Sequence, residues 1–139
     1  MVNSALAESF SCGPAPDRDS GSAPAAEEPV LDLVHLSRQT FGDHALETEL
    51  LTLFDRQAEQ FAARLAAPCG AGESGWRADL AHTLKGSARA VGAFGLGAAA
   101  EAYESALRSG DPCAEALQER LAAAIGTARA EIAALFEKA

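Results

Sequence analysis

The sequence predicts an all-α fold: an antiparallel up-down four-helix bundle with a short additional N-terminal helix. Three observations predict it. Apolar residues recur at i, i+3/i+4 and i+7 over long stretches, only short connections separate those stretches, and no segment sustains the period-two alternation of a strand. The composition agrees, being 48% hydrophobic but only 6% aromatic with alanine dominant, which favours helices in close contact through small side chains over a β-sandwich. A chain of 139 residues suffices for one compact domain with a real core.

The elements follow in order. Residues 1–29 carry Pro14, Pro16, Pro24 and Pro29 and five acids against one arginine. Such a segment buries too little apolar surface to offset its ordering entropy, so it is expected to be a disordered tail, with the folded domain spanning 30–139. A short helix follows, N-capped by Asp32, with Leu33, Leu36 and Phe41 near its apolar side and Gly42-Asp43 breaking it. The second helix spans about 43–66, its buried stripe formed by Leu46, Leu50, Leu53, Phe54, Phe61 and Leu65. The linker from Pro68 to Gly72 interrupts the pattern. A third helix over about 74–91 ends at Gly92, a candidate left-handed C-cap. The fourth, about 94–108, buries Leu96, Ala100, Tyr103 and Leu107 and stops at Ser109-Gly110. Asp111-Pro112 supplies an N-cap with proline at the first helical position. The fifth helix runs to about Glu137 and buries Leu117, Leu121, Ile125, Ala128, Ile132 and Leu135.

Charge and composition exclude several functions. A formal net charge of −9 argues against a nucleic-acid binder, which needs a basic surface to meet phosphates. No apolar run approaches a membrane span. The amino terminus has neither a basic n-region nor a long apolar core, so no secretory signal is expected. Cys12, Cys69 and Cys113 are far apart and lack metal-ligand spacing. They read as incidental thiols in a reducing cytoplasm, and a cytoplasmic location is expected.

The third helix holds the chemistry. Ala81-His82-Thr83-Leu84-Lys85-Gly86-Ser87-Ala88 sets a glycine inside a helix, where it costs roughly 1 kcal/mol relative to alanine. On a helical wheel, Trp76, Leu80, Leu84, Ser87 and Val91 cluster on one side, expected to face the core. His82, Lys85, Gly86 and Arg89 cluster opposite, and Asp79 and Ala78 extend that face by one turn. His82 is therefore expected at the solvent side rather than as a buried core histidine. Neutral imidazole, with an ordinary pKa of about 6.5, is a competent nucleophile near neutral pH. After phosphorylation, Lys85 one turn along would stabilise the added negative charge as a point cation, and Arg89 two turns along is a candidate second cation. Gly86 omits a Cβ beside the reacting nitrogen and leaves room for a partner's active site. Phosphoryl transfer is largely positioning and electrostatics, so a small site suffices if the partner supplies metal and carboxylates.

These residues resemble a histidine-containing phosphotransfer (HPt) domain, the phosphocarrier module of multistep two-component relays. The resemblance covers about residues 30–139 and rests on Ala81 to Ala88, the following Val91-Gly92-Ala93, and Tyr103-Glu104-Ser105-Ala106 ending at Gly110. Leu31-Asp32 and Leu51-Thr52-Leu53-Phe54 resemble the family's opening helices. It implies a four-helix bundle, His82 as phosphoacceptor, Lys85 as charge partner and Gly86 as the approach position. It further implies that Glu104, on the next helix, hydrogen-bonds the other ring nitrogen of His82 and orients the ring. The alternative for Glu104 is a plain i, i+4 pair with Arg108.

Other candidates are weaker. His35 and His44 have no converging carboxylates or cysteines and read as surface residues rather than metal ligands. Gly92, Gly95 and Gly97 lack the order and the preceding strand of a phosphate loop and suit turns and close packing. Gln57 falls near the apolar stripe of the second helix, at the border of the site or as a simple boundary residue. There is no Walker sequence and no kinase lysine–glutamate constellation. The expectation is therefore a monomeric phosphocarrier, not an enzyme with its own kinase activity and without a cofactor of its own. It would exchange phosphoryl groups with response-regulator receiver domains or a hybrid histidine kinase, Mg²⁺ being expected on the receiver. The rival is a non-phosphorylated helical module that sequesters a receiver domain.

Overall fold

The structure, a computed structural model, describes residues 29–68, 70 and 72–138. The disordered tail expected over 1–29 therefore lies, apart from its last residue, outside the described residues. Five helices are present among them and no strand: α1 (Leu33–Gln39), α2 (His44–Ala66), α3 (Ser74–Val91), α4 (Phe94–Ser109) and α5 (Ala114–Lys138). The most extensive contact is α3 on α4, followed by α4 on α5; α2 completes the set by packing against both α5 and α3. No described helix is long and apolar enough to cross a membrane.

Capping residues set the boundaries. Asp32 accepts a hydrogen bond from the His35 N–H at 3.1 Å and Asp43 one from the Leu46 N–H at 3.1 Å, each satisfying an amide that the first helical turn leaves unpaired. Gly92 ends α3 with φ +89° and Gly110 ends α4 with φ +71°, the left-handed conformation that glycine reaches without a Cβ penalty. Gly92 is also locked from outside. The Asp32 N–H donates to its carbonyl at 2.9 Å, and a Cβ at Gly92 would stand 2.6 Å from the Asp32 carbonyl oxygen. Gly92→Ala is thus expected to lower stability by more than the roughly 1–2 kcal/mol of left-handed backbone strain alone, read as a shifted urea midpoint with m unchanged.

The core lies among α2, α3, α4 and α5, and several sequence expectations are corrected there. In α2 the buried stripe is Leu51, Phe54, Ala58, Phe61 and Leu65, whereas Leu53 and Leu46 are exposed. Phe41, assigned to the apolar side of the first helix, is 95% exposed in the α1–α2 turn at φ +54°. Thr40 is buried there instead, its hydroxyl donating to the Leu36 carbonyl at 3.1 Å. In α3 the inward stripe is Arg77, Ala78, Ala81, Leu84, Ala88 and Val91. Trp76 is exposed, with the Arg64 guanidinium 4.6 Å above its ring, and Ala78 points inward, not outward. Leu80 and Ser87 are only half-buried. The wheel centred on large apolar residues is rotated from the true stripe because α4 meets α3 through small side chains: a Cβ at Gly97 would lie 3.2 Å from the Arg89 side chain and 3.6 Å from the Lys85 carbonyl. Alanines fit where two helices come that close.

Arg77 is 2% exposed. One of its terminal nitrogens donates to the Ala67 carbonyl at 3.1 Å, just past the end of α2. Nearby, the Gln118 amide donates to the Leu65 carbonyl at 2.9 Å and accepts from the Tyr103 hydroxyl at 3.3 Å. At the α4–α5 turn, Asp111 accepts from the Cys113 N–H at 2.8 Å, and α5 starts at Ala114, later than an N-cap at Asp111 would place it. Cys113 is disulfide-bonded, which corrects the reading of the cysteines as incidental thiols at this position.

Candidate functional site

His82, Lys85 and Glu104 come together on the outer edge of the α3–α4 contact. The position of His82 follows from α3 itself: Ala81 and Leu84 on either side face inward, so His82 faces out, its side chain 61% exposed. Its Nδ1 lies 3.1 Å from Glu104 Oε2 and 3.3 Å from Oε1. An ionised carboxylate only accepts, so Nδ1 carries the proton and donates, which leaves the Nε2 lone pair free. Glu104 reaches His82 because Tyr103 and Ala106 anchor the inner face of α4.

Glu104 gathers three donors. Lys85 Nζ stands 3.3 Å from its Oε1 and Arg108 Nε 3.0 Å from its Oε2, in addition to the His82 ring. The carboxylate side chain is only 12% exposed. Burial pushes its pKa up, but the hydrogen bonds from Arg108, His82 and Lys85, with the charge of Lys85, outweigh burial and hold it below the ordinary carboxylate value. Glu104 is therefore an anion at neutral pH, and the two sequence alternatives for it coexist: it holds the His82 ring and also pairs with Arg108. Arg108 in turn bonds Asp79 Oδ1 through Nη2 at 2.9 Å. The bonds to Asp79 and Glu104 raise the pKa of the guanidinium.

Two sequence-derived residues need separate statements. Arg89 points to Glu101 at 2.8 Å and joins neither Glu104 nor His82, so the structure does not bring it into the cluster. Gly86 is exposed, and a Cβ there would meet nothing within 4 Å; no contact among the described residues requires this glycine.

The remaining histidines are placed differently. His35 is half-buried, its ring edge-on to Phe94 at 5.0 Å, and His44 is exposed, 3.3 Å from Glu47. Among the described residues, neither shares a carboxylate with a lysine or arginine as His82 does through Glu104. Among the described residues, no group of three or more His, Cys, Asp or Glu is arranged to hold a metal ion. Gln57 is half-buried at the α2–α3 groove, beside Leu84 on one side and Ser87 on the other.

Sequence reasoning gave Arg108 only as a partner of Glu104 and passed over its bond to Asp79. The spacing held the signal: Asp79 is three residues before His82 and Arg108 four after Glu104, so each lies on the same helix face as the residue it supports. Arg77 was missed for a comparable reason, although it sits seven residues before Leu84 and fourteen before Val91, on the inward line of α3.

No curated protein and no solved structure matches the chain. A family model described as the Hpt domain matches residues 49–136, from α2 almost to the end of α5, and with more than half of the sequence matched, the chain belongs to the Hpt domain family.

Proposed function

We propose that this chain is a histidine phosphotransfer protein that shuttles a phosphoryl group between the aspartates of receiver domains through a phosphohistidine at His82. The observation that carries the reading is the exposed His82 whose Nδ1 is held by Glu104, the same carboxylate that Lys85 bonds, leaving Nε2 without a bond to the described residues. In the transfer step, the Nε2 lone pair attacks the phosphorus of an aspartyl phosphate on the receiver. The Nε2–P bond forms as the bond from phosphorus to the aspartate oxygen breaks, and the carboxylate leaves with the electron pair. The Nδ1 proton stays, so the ring becomes an imidazolium whose charge Glu104 stabilises. Lys85 serves the phosphoryl oxygens from one turn along α3. Return of the group to a second receiver reverses each step, and the direction follows from which partner is more phosphorylated.

The receiver would supply Mg²⁺; the chain contributes position and charge, and no kinase activity of its own belongs to the reading. Docking would use small and apolar side chains near the motif, among them Leu53 of α2 and Ala90 of α3, which line one groove. Contacts of this kind are small and transient. An antiparallel up-down order of the four long helices and a monomeric state complete the proposal. A cytoplasmic location belongs to it as well, with the Cys113 disulfide standing against it on redox grounds.

The test is incubation of the purified chain with a ³²P-labelled phosphorylated receiver domain. Label appearing on the chain as an acid-labile, alkali-stable phosphate supports the reading. A complex that forms with no label transferred, from any cognate receiver, replaces it with the sequestering module.

A further inference from the structure

A phosphoryl group on His82 adds about two negative charges to a site where each nearby cation is already matched. Lys85 bonds Glu104, Arg89 bonds Glu101, and Arg108 bonds both Glu104 and Asp79. A cation freed from a carboxylate would meet that charge best, and the two carboxylates of Arg108 differ sharply. Glu104 is 12% exposed and depends on its donors, whereas Asp79 is 74% exposed, so water replaces a lost partner there at little cost. Arg108 is also well placed. Its Nε and the His82 Nδ1 approach the same oxygen, Glu104 Oε2, at 3.0 and 3.1 Å, which sets the guanidinium alongside the imidazole. Its Nη2 reaches toward α3 one turn before His82, while Lys85 lies one turn after it.

We propose that Asp79 and Arg108 form a charge switch for the phosphohistidine: Arg108 exchanges Asp79 for the phosphoryl oxygens while keeping its Nε bond to Glu104. Arg108 is then the second phosphoryl cation, in the place the sequence assigned to Arg89. Asp79 is a positioning residue acting through Arg108, and it weakens the hold of the site on phosphate. This keeps the phosphoryl group transferable, because a carrier that bound it with every available cation would return it poorly. No covalent step is added. The inference rests on His82 being the phosphoacceptor.

The measurement is the equilibrium constant for phosphoryl transfer from one phosphorylated receiver to wild type, Asp79→Asn, Arg108→Gln and the double variant. Circular dichroism checks that each is folded, both positions being well exposed. Asp79→Asn is expected to shift the constant toward the phosphohistidine by roughly three- to tenfold, and Arg108→Gln to shift it back by a similar factor. In the Arg108→Gln background the effect of Asp79→Asn should shrink below about twofold, which a simple like-charge effect would not do. A shift from Asp79→Asn of equal size in both backgrounds, or no shift at all, overturns the switch while leaving His82 as the acceptor. Absence of phosphate on wild type overturns the acceptor assignment and the switch with it.

Discussion

Replacement of His82 by glutamine is expected to give a folded, fully helical protein that takes up no phosphate from a phosphorylated receiver. The two halves of this result have separate causes. The His82 side chain is 61% exposed and does not belong to the core stripe of α3, and its bonds among the described residues are those to Glu104. Glu104 keeps Lys85 and Arg108 when the imidazole is gone, so no buried charge is orphaned and stability should change by less than about 1 kcal/mol. Phosphate uptake has no such reserve, because the lone pair of an amide nitrogen is delocalised into its carbonyl and does not attack phosphorus. His44 provides an internal control. Its Nδ1 also lies near a carboxylate, Glu47 at 3.3 Å, and it is more exposed than His82, so exposure with a carboxylate is present at two histidines. What His44 lacks is the pair of cations that share the carboxylate of His82: Lys85 and Arg108 both bond Glu104, whereas among the described residues Glu47 bonds neither a lysine nor an arginine. Acid-labile phosphate retained by His82→Gln would sink the assignment of His82 and turn attention to His44 or His35.

How much of this was legible in the sequence depended on the kind of force involved. Helix ends were legible because they depend on local chemistry: Asp32 caps α1, and Gly92 and Gly110 adopt the left-handed conformation where the chain turns. The clustering of His82 with Lys85 was legible because positions three apart share a helix face. Glu104 could be tied to His82 only through the family resemblance, since its contact depends on how α4 docks against α3. The inward line of α3 was misread because size was taken as the guide to burial. Where glycine and alanine let two backbones approach, Ala78, Ala81 and Ala88 fill the seam and Trp76 is left outside. Arg89 was misassigned for a related reason. The wheel gives a face but not which carboxylate on the neighbouring helix is nearer, and Glu101 lies within 2.8 Å.

Gly86 joins these levels, and its replacement should separate folding from function in opposite directions. Gly86→Ala is expected to stabilise the protein by up to about 1 kcal/mol, because alanine is the better helix former and its Cβ would meet nothing within 4 Å. Gly92→Ala, six residues later at the C-cap of the same helix, should do the reverse, so the pair tests the backbone argument along one element. If stability were the only demand on position 86, glycine would be a poor choice there. The open side faces outward beside His82, where a receiver's active site must descend to bring phosphorus to Nε2. Gly86→Gln puts an uncharged, helix-compatible side chain into that space. It should lower the rate of transfer from a phosphorylated receiver by roughly 100-fold, the scale of loss that a misplacement of about 1 Å produces in a reaction that depends on alignment. Uptake from phosphoramidate, a donor small enough to pass the new side chain, should stay within a few-fold of wild type, since His82, Lys85 and Glu104 are unchanged. Equal losses with both donors would mean that Gly86 serves the local geometry of the site and not the approach of a partner.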